Sequence, residues 1–304
     1  MVRVLTAARE HAGDSEMPTL EQFGVAYSNL QDCDPANDIA VVEAGDEVVA
    51  YTRTAFEDLA TGVRDLIVFT PIRPEHADRP LFDALVRADE EHLRPTGQPG
   101  SRFRAYASHP GPGLPAEGQS AWLEDAGYMA TEWGASLVRP HLDDIPQRAL
   151  PAGVELRAVT EQQIRPILDA HFEAFRGEWD FREPTKEDFR EAIDHPDRDE
   201  SLWRVAWAGD SVVGQVKSYI NPAENAKRGY LRGYTEYIST HRDWRNRGIA
   251  GALLAMSLEE LRRRGMTEAA LGVDTNNPGG AFQLYTSLGF ELRSYEVVHT
   301  KPVE

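Results

Sequence analysis

Thr240-His241-Arg242-Asp243-Trp244-Arg245-Asn246-Arg247-Gly248-Ile249-Ala250-Gly251 is the stretch on which the reading of this chain turns. It follows an alternating run, Tyr234–Thr240, expected as a strand. It opens a helix, Gly248–Arg264, whose apolar stripe is Ile249, Leu253, Leu254, Leu258 and Leu261. A helix N-terminus carries unpaired N–H groups and the positive end of the helix dipole. The small residues Gly248, Ala250 and Gly251 leave those donors open to a phosphate. Arg242, Arg245 and Arg247 add positive charge in a chain of net charge −18. The combination suits a pyrophosphate. It is neither the dinucleotide glycine fingerprint nor a Walker loop, because no Gly-Lys-Ser/Thr follows. Taken alone, it also reads as a tight turn with a basic rim.

Working outward, Val154–Ala158 alternates as a strand and Glu161–Phe175 has helical spacing behind the N-cap Thr160, with Pro166 leaving its start open. Thr185–Asp194 is a second capped helix. Leu202–Trp207 and Val212–Ile220 flank a Gly-Asp turn as a hairpin. Ala269–Val273 is a strand, Gly280–Leu288 a short helix ending at Gly289, and Tyr295–Lys301 a last strand. The predicted order is β-α-α-β-β-β-α-β-α-β, a mixed α/β layer architecture.

The stretch after Ala269–Val273 is Val273-Asp-Thr-Asn-Asn-Pro-Gly-Gly-Ala-Phe-Gln-Leu-Tyr-Thr-Ser-Leu-Gly-Phe290. With the first loop it resembles the GNAT (Gcn5-related) N-acetyltransferase superfamily. Arg245-x-x-Gly248-x-Ala250 matches the family's Arg/Gln-x-x-Gly-x-Gly/Ala signature. Asn277, Ala281, Leu284, Tyr285, Gly289 and Phe290 match its second motif. The resemblance covers residues 234–290 directly and 154–301 by element order.

The resemblance implies acetyl-CoA as cosubstrate, lying in a wedge between the Tyr234–Thr240 and Ala269–Val273 strands. Backbone groups of Ile238, Ser239 and Thr240 would pair with the pantetheine amides. N–H groups of Arg245, Asn246, Arg247, Gly248, Ile249, Ala250 and Gly251 would hold the pyrophosphate, and Asn277 the pantetheine arm. Tyr285 would protonate the departing thiolate. An ammonium acceptor must lose a proton before attack. Glu236 is the candidate base, and strict alternation puts it on the face of Ile238 and Thr240.

Residues 1–150 and 151–304 read as two domains, divided at the Pro146, Pro151 and Gly153 punctuation. Ala44-Gly45-Asp46 before Val48-Val49 recurs as Ala208-Gly209-Asp210 before Val212-Val213. Gly127-Tyr128 recurs as Gly289-Phe290, and Asp83-Ala84-Leu85-Val86 resembles Gly251-Ala252-Leu253-Leu254. The order of these matches suggests duplication of one αβ unit. The expected fold is therefore two tandem GNAT-like folds, each a mixed, mostly antiparallel sheet flanked by helices. Tandem GNAT enzymes such as mycothiol synthase share this layout, though nothing here matches a substrate motif of that enzyme. On this alignment Pro80 replaces Gly248, Phe82 replaces Ala250 and Leu123 replaces Tyr285. Proline removes a donor and phenylalanine blocks close approach. The first domain thus reads as a degenerate, non-catalytic copy.

Composition bounds the rest. The chain has 304 residues, 41% hydrophobic and 27% charged, enough for two cores. Residues 1–150 hold 12 Arg, no Lys and 25 acidic residues, a net −13, against −5 for residues 151–304. Such acidity disfavours nucleic acid. No run of about 18 apolar residues suggests a membrane span. The N-terminal stretch lacks an apolar core for a secretory signal, so a cytoplasmic protein is expected. Cys33 is the sole cysteine and the histidines show no metal spacing, so no metal is expected. The expected activity is acetyl transfer to a small-molecule amine by direct attack in a ternary complex. The alternatives are a protein N-terminus or lysine as acceptor, a longer acyl group, or a CoA-binding regulatory protein without turnover.

Overall fold

The computed structural model describes residues 1–14, 17–176, 181–275 and 280–304. Among these the helices are α1 (Val2–Ala12), α2 (Leu20–Ser28), α3 (Arg79–Leu93), α4 (Gly118–Asp125), α5 (Glu161–Phe175), α6 (Lys186–Asp194), α7 (Pro222–Arg228), α8 (Ile249–Arg263) and α9 (Ala281–Ser287). The strands are β1 (Ile39–Ala44), β2 (Glu47–Asp58), β3 (Arg64–Phe69), β4 (Arg102–His109), β5 (Met129–Arg139), β6 (Glu155–Arg157), β7 (Arg204–Ala208), β8 (Ser211–Ile220), β9 (Arg232–Thr240), β10 (Glu268–Asp274) and β11 (Glu291–Pro302).

The chain forms two compact units that do not follow the expected 150/151 division. One holds Met1–Ser136, residues 274–275 and Arg293–Glu304; the other holds Leu137–Val273 and residues 280–292. The final strand, expected in the C-terminal domain, therefore belongs to the first unit. There β11 pairs antiparallel with β4 from Tyr295↔His109 to Pro302↔Arg102. Its side chains enter the same core. Buried His299 meets Ser120 Oγ at 2.9 Å, and Lys301 Nζ donates to Glu90, which also accepts from Tyr128 Oη. Local patterning marks β11 as a strand but says nothing about which edge it joins.

Within the first unit the strands run β1-β2-β3-β4-β11-β5. Leu66, Val68, Phe82, Val86, Phe103 and Leu123 form the centre of its core. The Gly-Asp turns are as read: Ala44 pairs Glu47 around Gly45, and Ala208 pairs Ser211 around Gly209 in the second unit. Both glycines have positive φ, the conformation a tight hairpin turn demands.

The second unit orders its strands β10-β9-β8-β7-β6. Helix α8 lies close over one face. A Cβ on Gly214 would sit 2.6 Å from Ile249, and one on Gly233 2.4 Å from Leu261. These two glycines let the helix settle directly onto the strands. Helices α5 and α6 pack apolar side chains such as Ile167, Leu168 and Phe189 on other clusters. Pro166 does not break α5, which starts at Glu161 with Gln163 accepting from the Thr160 N–H. Helix α7 is absent from the sequence expectation. Its signals were present, since Asn221 caps it, Pro222 opens it and Gly229 closes it at φ 74°.

The duplication has structural counterparts at the end of each short helix. Gly127 and Gly289 adopt φ 90° and 83°, and Tyr128 and Phe290 donate to Leu123 and Tyr285 carbonyls. This is one C-cap motif built twice.

Candidate active site

Strands β9 and β10 pair in parallel only over Arg232–Tyr234 and Glu268–Ala270. Both strands continue beyond that ladder without pairing to each other, so a wedge opens where the sequence reading places it. Strand β9 also departs from regular geometry there. Its register against β8 shifts between Lys217↔Glu236 and Gln215↔Ser239. Tyr237 and Ile238 therefore face the single residue Val216, a β-bulge. Tyr237 adopts φ 49°, a left-handed conformation uncommon for a bulky aromatic.

The bulge overturns one expectation. Alternation put Glu236 on the face of Ile238 and Thr240, but the extra residue reverses the phase. Glu236 and Tyr234 sit opposite Lys217 and Tyr219, whereas Thr240 sits opposite Gly214, the residue covered by Ile249. Ile238 packs against the α8-side core. Glu236 instead reaches β10, where its Oε1 accepts the Gly272 N–H at 3.3 Å.

A pocket of about 500 Å³ lies against the N-terminus of α8. Ile238, Ser239, Thr240, Arg245, Asn246, Gly248, Ile249, Ala250, Gly251 and Tyr285 line it. Gly248 is the N-cap, at φ 82°, and among the described residues no side chain caps the helix. The first turn's N–H groups at Ile249, Ala250 and Gly251 are thus left for a ligand, the first intrahelical bond being from Ala252 to Gly248. Asn246 at φ 61° adds a second left-handed residue to the loop, so successive N–H groups form a concavity suited to an anion.

The three arginines of the loop are less free than the sequence implied. Arg245 Nη2 donates to the Ala174 carbonyl at 2.6 Å, tying the loop to the end of α5. Arg242 pairs with Glu173 at 3.5 Å. Arg247 stacks on Trp244 at 4.7 Å, donates to the Asp243 carbonyl, and does not line the pocket. Their fields still favour an anion, while backbone donors make the cradle. Sequence reasoning missed Arg148, whose guanidinium reaches within 2.5 Å of where a Gly251 Cβ would stand and bonds Ser287 Oγ. It missed Phe175 and Trp244 too. Arg148 lies in the Pro-rich stretch between the halves, where no motif points to a ligand.

Tyr285 is 5% exposed, lines the pocket and packs its ring edge-on to Phe290. Burial raises its pKa above the usual phenol value, and the Glu236 carboxylate raises it further. The phenol therefore keeps its proton at neutral pH. Asn277 lies outside the described residues.

The first unit answers differently at the matching positions. Helix α3 starts one residue after Asp78, so Asp78, rather than Pro80, is the counterpart of the Gly248 cap. Its carboxylate accepts the Leu81 N–H at 2.9 Å. The helix thus fills its own anion site with a fixed negative charge. Leu123, the counterpart of Tyr285, is wholly buried. Among the described residues no cluster of His, Cys, Asp and Glu is placed to hold a metal, and no helix is long and apolar enough to cross a membrane.

Residues 164–290 match the description "Acetyltransferase (GNAT) family". The chain is similar to a mycothiol acetyltransferase of Salinispora arenicola, 28% identical over 86% of this chain and 81% of that one. A GCN5-related N-acetyltransferase structure from Sphaerobacter thermophilus superposes with TM-score 0.71 and 24% identity, covering 100% of this chain and 91% of that one. A tandem GNAT protein from the clavulanic acid biosynthesis pathway superposes at 0.69 with 17% identity, covering 100% and 94%.

Proposed function

From a chain that belongs to the GNAT acetyltransferase superfamily and has its tandem layout, we propose one working acetyl-CoA site, in the second unit, that acetylates the amine of a small molecule. The observation that carries this is the meeting of three features at one pocket: the parted strands, the uncapped α8 N-terminus and Tyr285. The similarity to a mycothiol acetyltransferase supports a small-molecule acceptor.

The pocket suits the cosubstrate. Ile249, Ala250 and Gly251 N–H groups would hold the pyrophosphate, with Arg148 and Arg245 contributing field. Ile238, Ser239 and Thr240 would take the pantetheine amides as an added strand. When bound, acetyl-CoA supplies a thioester, the electrophile for a neutral amine. Glu236 removes the proton that the acceptor ammonium must lose, directly or through water. Tyr285 gives its phenolic proton to the thiolate sulfur as the carbon–sulfur bond breaks, and the extra proton that the attacking nitrogen carries after attack returns through water to the tyrosine. The Glu236 carboxyl and the Tyr285 phenol are coupled. Burial holds the phenol's pKa up and the Glu236 carboxylate adds to it, so protonation of Glu236 removes that added part and makes Tyr285 the stronger acid once the base has acted. No covalent enzyme intermediate is needed.

The test is calorimetry with acetyl-CoA, followed by thiol release with a panel of small-molecule amines. Binding with amine-dependent thiol release is expected. Binding without release for any amine, peptide amines included, would favour a CoA-responsive regulatory protein.

A further inference from the structure

Lys217 is a buried cation that the proposed chemistry does not use. It lies on β8, is 5% exposed, and its Nζ has no hydrogen-bond partner among the described residues. Its ammonium instead sits 4.1 Å from the Tyr237 ring centroid and 5.1 Å from that of Trp203. A buried ammonium without a hydrogen bond is costly, and an apolar side chain would fill the same space more cheaply. Tyr237 has the opposite problem. It is the left-handed residue of the β9 bulge, yet the residue is 41% exposed, so burial gives it little hold. A ring face against a desolvated cation is attractive, and His171 meets the same ring edge-on at 5.2 Å.

We propose that Lys217 is a positioning residue whose side chain braces the Tyr237 ring, holding the bulge that aims the backbone of Ile238, Ser239 and Thr240 into the cosubstrate pocket. The inference rests on reading that pocket as the acetyl-CoA site. A bulge shifts which backbone groups face the wedge, so its loss would turn the next three residues out of phase. A strained backbone conformation persists only where its surroundings over-determine it.

The brace depends on charge, and the neighbours leave Lys217 as the group that changes it near neutral pH. Desolvation pushes Lys217 down to about 7. His171 of α5 is pushed by burial, and by Lys217, down to about 3, and stays neutral. Glu236 of β9, opposite Lys217 in register, is bonded to Gly272. Arg204 of β7 is paired with Glu260 at 3.0 Å, and Glu200 ahead of β7 with Arg198.

The experiment titrates acetyl-CoA alone into the full chain, as wild type, Lys217→Met, Tyr237→Gly and the double variant, at pH 6 and 8.5. Lys217→Met is expected to stay folded with an equal or higher Tm, since an unpaired buried charge is removed. It should bind about fivefold more weakly at pH 6. The gap to wild type should close by pH 8.5, where Lys217 is neutral. In the Tyr237→Gly background Lys217→Met should change nothing further, because glycine takes positive φ unaided. Equal binding by wild type and Lys217→Met at pH 6 would overturn the proposal. So would a gap that persists unchanged at pH 8.5, or the same loss in the glycine background. Absence of acetyl-CoA binding by wild type would overturn the cosubstrate reading itself, and this inference with it.

Discussion

Glu236 and Tyr285 are electrostatically joined: the carboxylate adds to burial in lifting the phenol's pKa. One group is then suited to take a proton, and the other to keep one until it is needed. Removing either should leave a distinct kinetic mark.

Tyr285→Phe keeps the ring packed against Phe290 but removes the proton donor. Turnover should fall by roughly 10²–10⁴-fold, the range of general acid–base groups, with acetyl-CoA affinity nearly unchanged. Steady-state kinetics beside calorimetry read the two apart. Unchanged turnover with chemistry rate-limiting would remove the role.

Glu236→Gln should lose most activity at low pH and regain part of it as rising pH deprotonates the free amine. The sign follows from the base: it matters most where the acceptor is ammonium. The same change deletes the charge that raises Tyr285, so the phenol should titrate lower than in wild type. Tyrosinate absorbance, differenced against Tyr285→Phe, reads that shift. A wild-type pH–rate profile in the variant would point to another base.

Gly248 has open space where a Cβ would go, yet φ 82°. Gly248→Ala should therefore cost about 1–2 kcal/mol through backbone strain. It should weaken acetyl-CoA binding besides, since relaxing that left-handed residue would re-aim the N–H groups that follow it. Stoichiometry is the companion measurement. One acetyl-CoA per chain is expected, because Asp78 occupies the matching cap in the first unit. Two equivalent sites would contradict that.

Asp78→Ala should lower stability by about 1 kcal/mol through loss of its cap. Turnover per folded chain should stay as in wild type. Thermal unfolding and active-site titration together check both halves of the statement.

Truncation before Arg293 removes the β11 ladder from β4 together with the Lys301–Glu90 pair. The first unit should lose hydrogen-exchange protection along β4 and unfold at lower temperature. Retained protection there would show that β4 does not need β11.

Local chemistry could be read from the chain alone. The Thr240–Gly251 loop announced a strand, a tight turn and a helix start, because glycine placement and apolar spacing are properties of neighbouring residues. The Gly-Asp hairpins and the short-helix C-caps were legible for the same reason. Tertiary structure decided what depends on residues far apart. It placed β11 beside β4, since edge pairing is settled by a core that local pattern does not name. It put Glu236 on the other face of β9, since one extra residue at Tyr237 reverses every later side chain. It brought Arg148 to Gly251 and Lys217 to Tyr237, contacts made by packing across a sheet face or a helix end. Periodicity sees only the residues next along the chain, whereas a site is assembled from those that burial brings next in space.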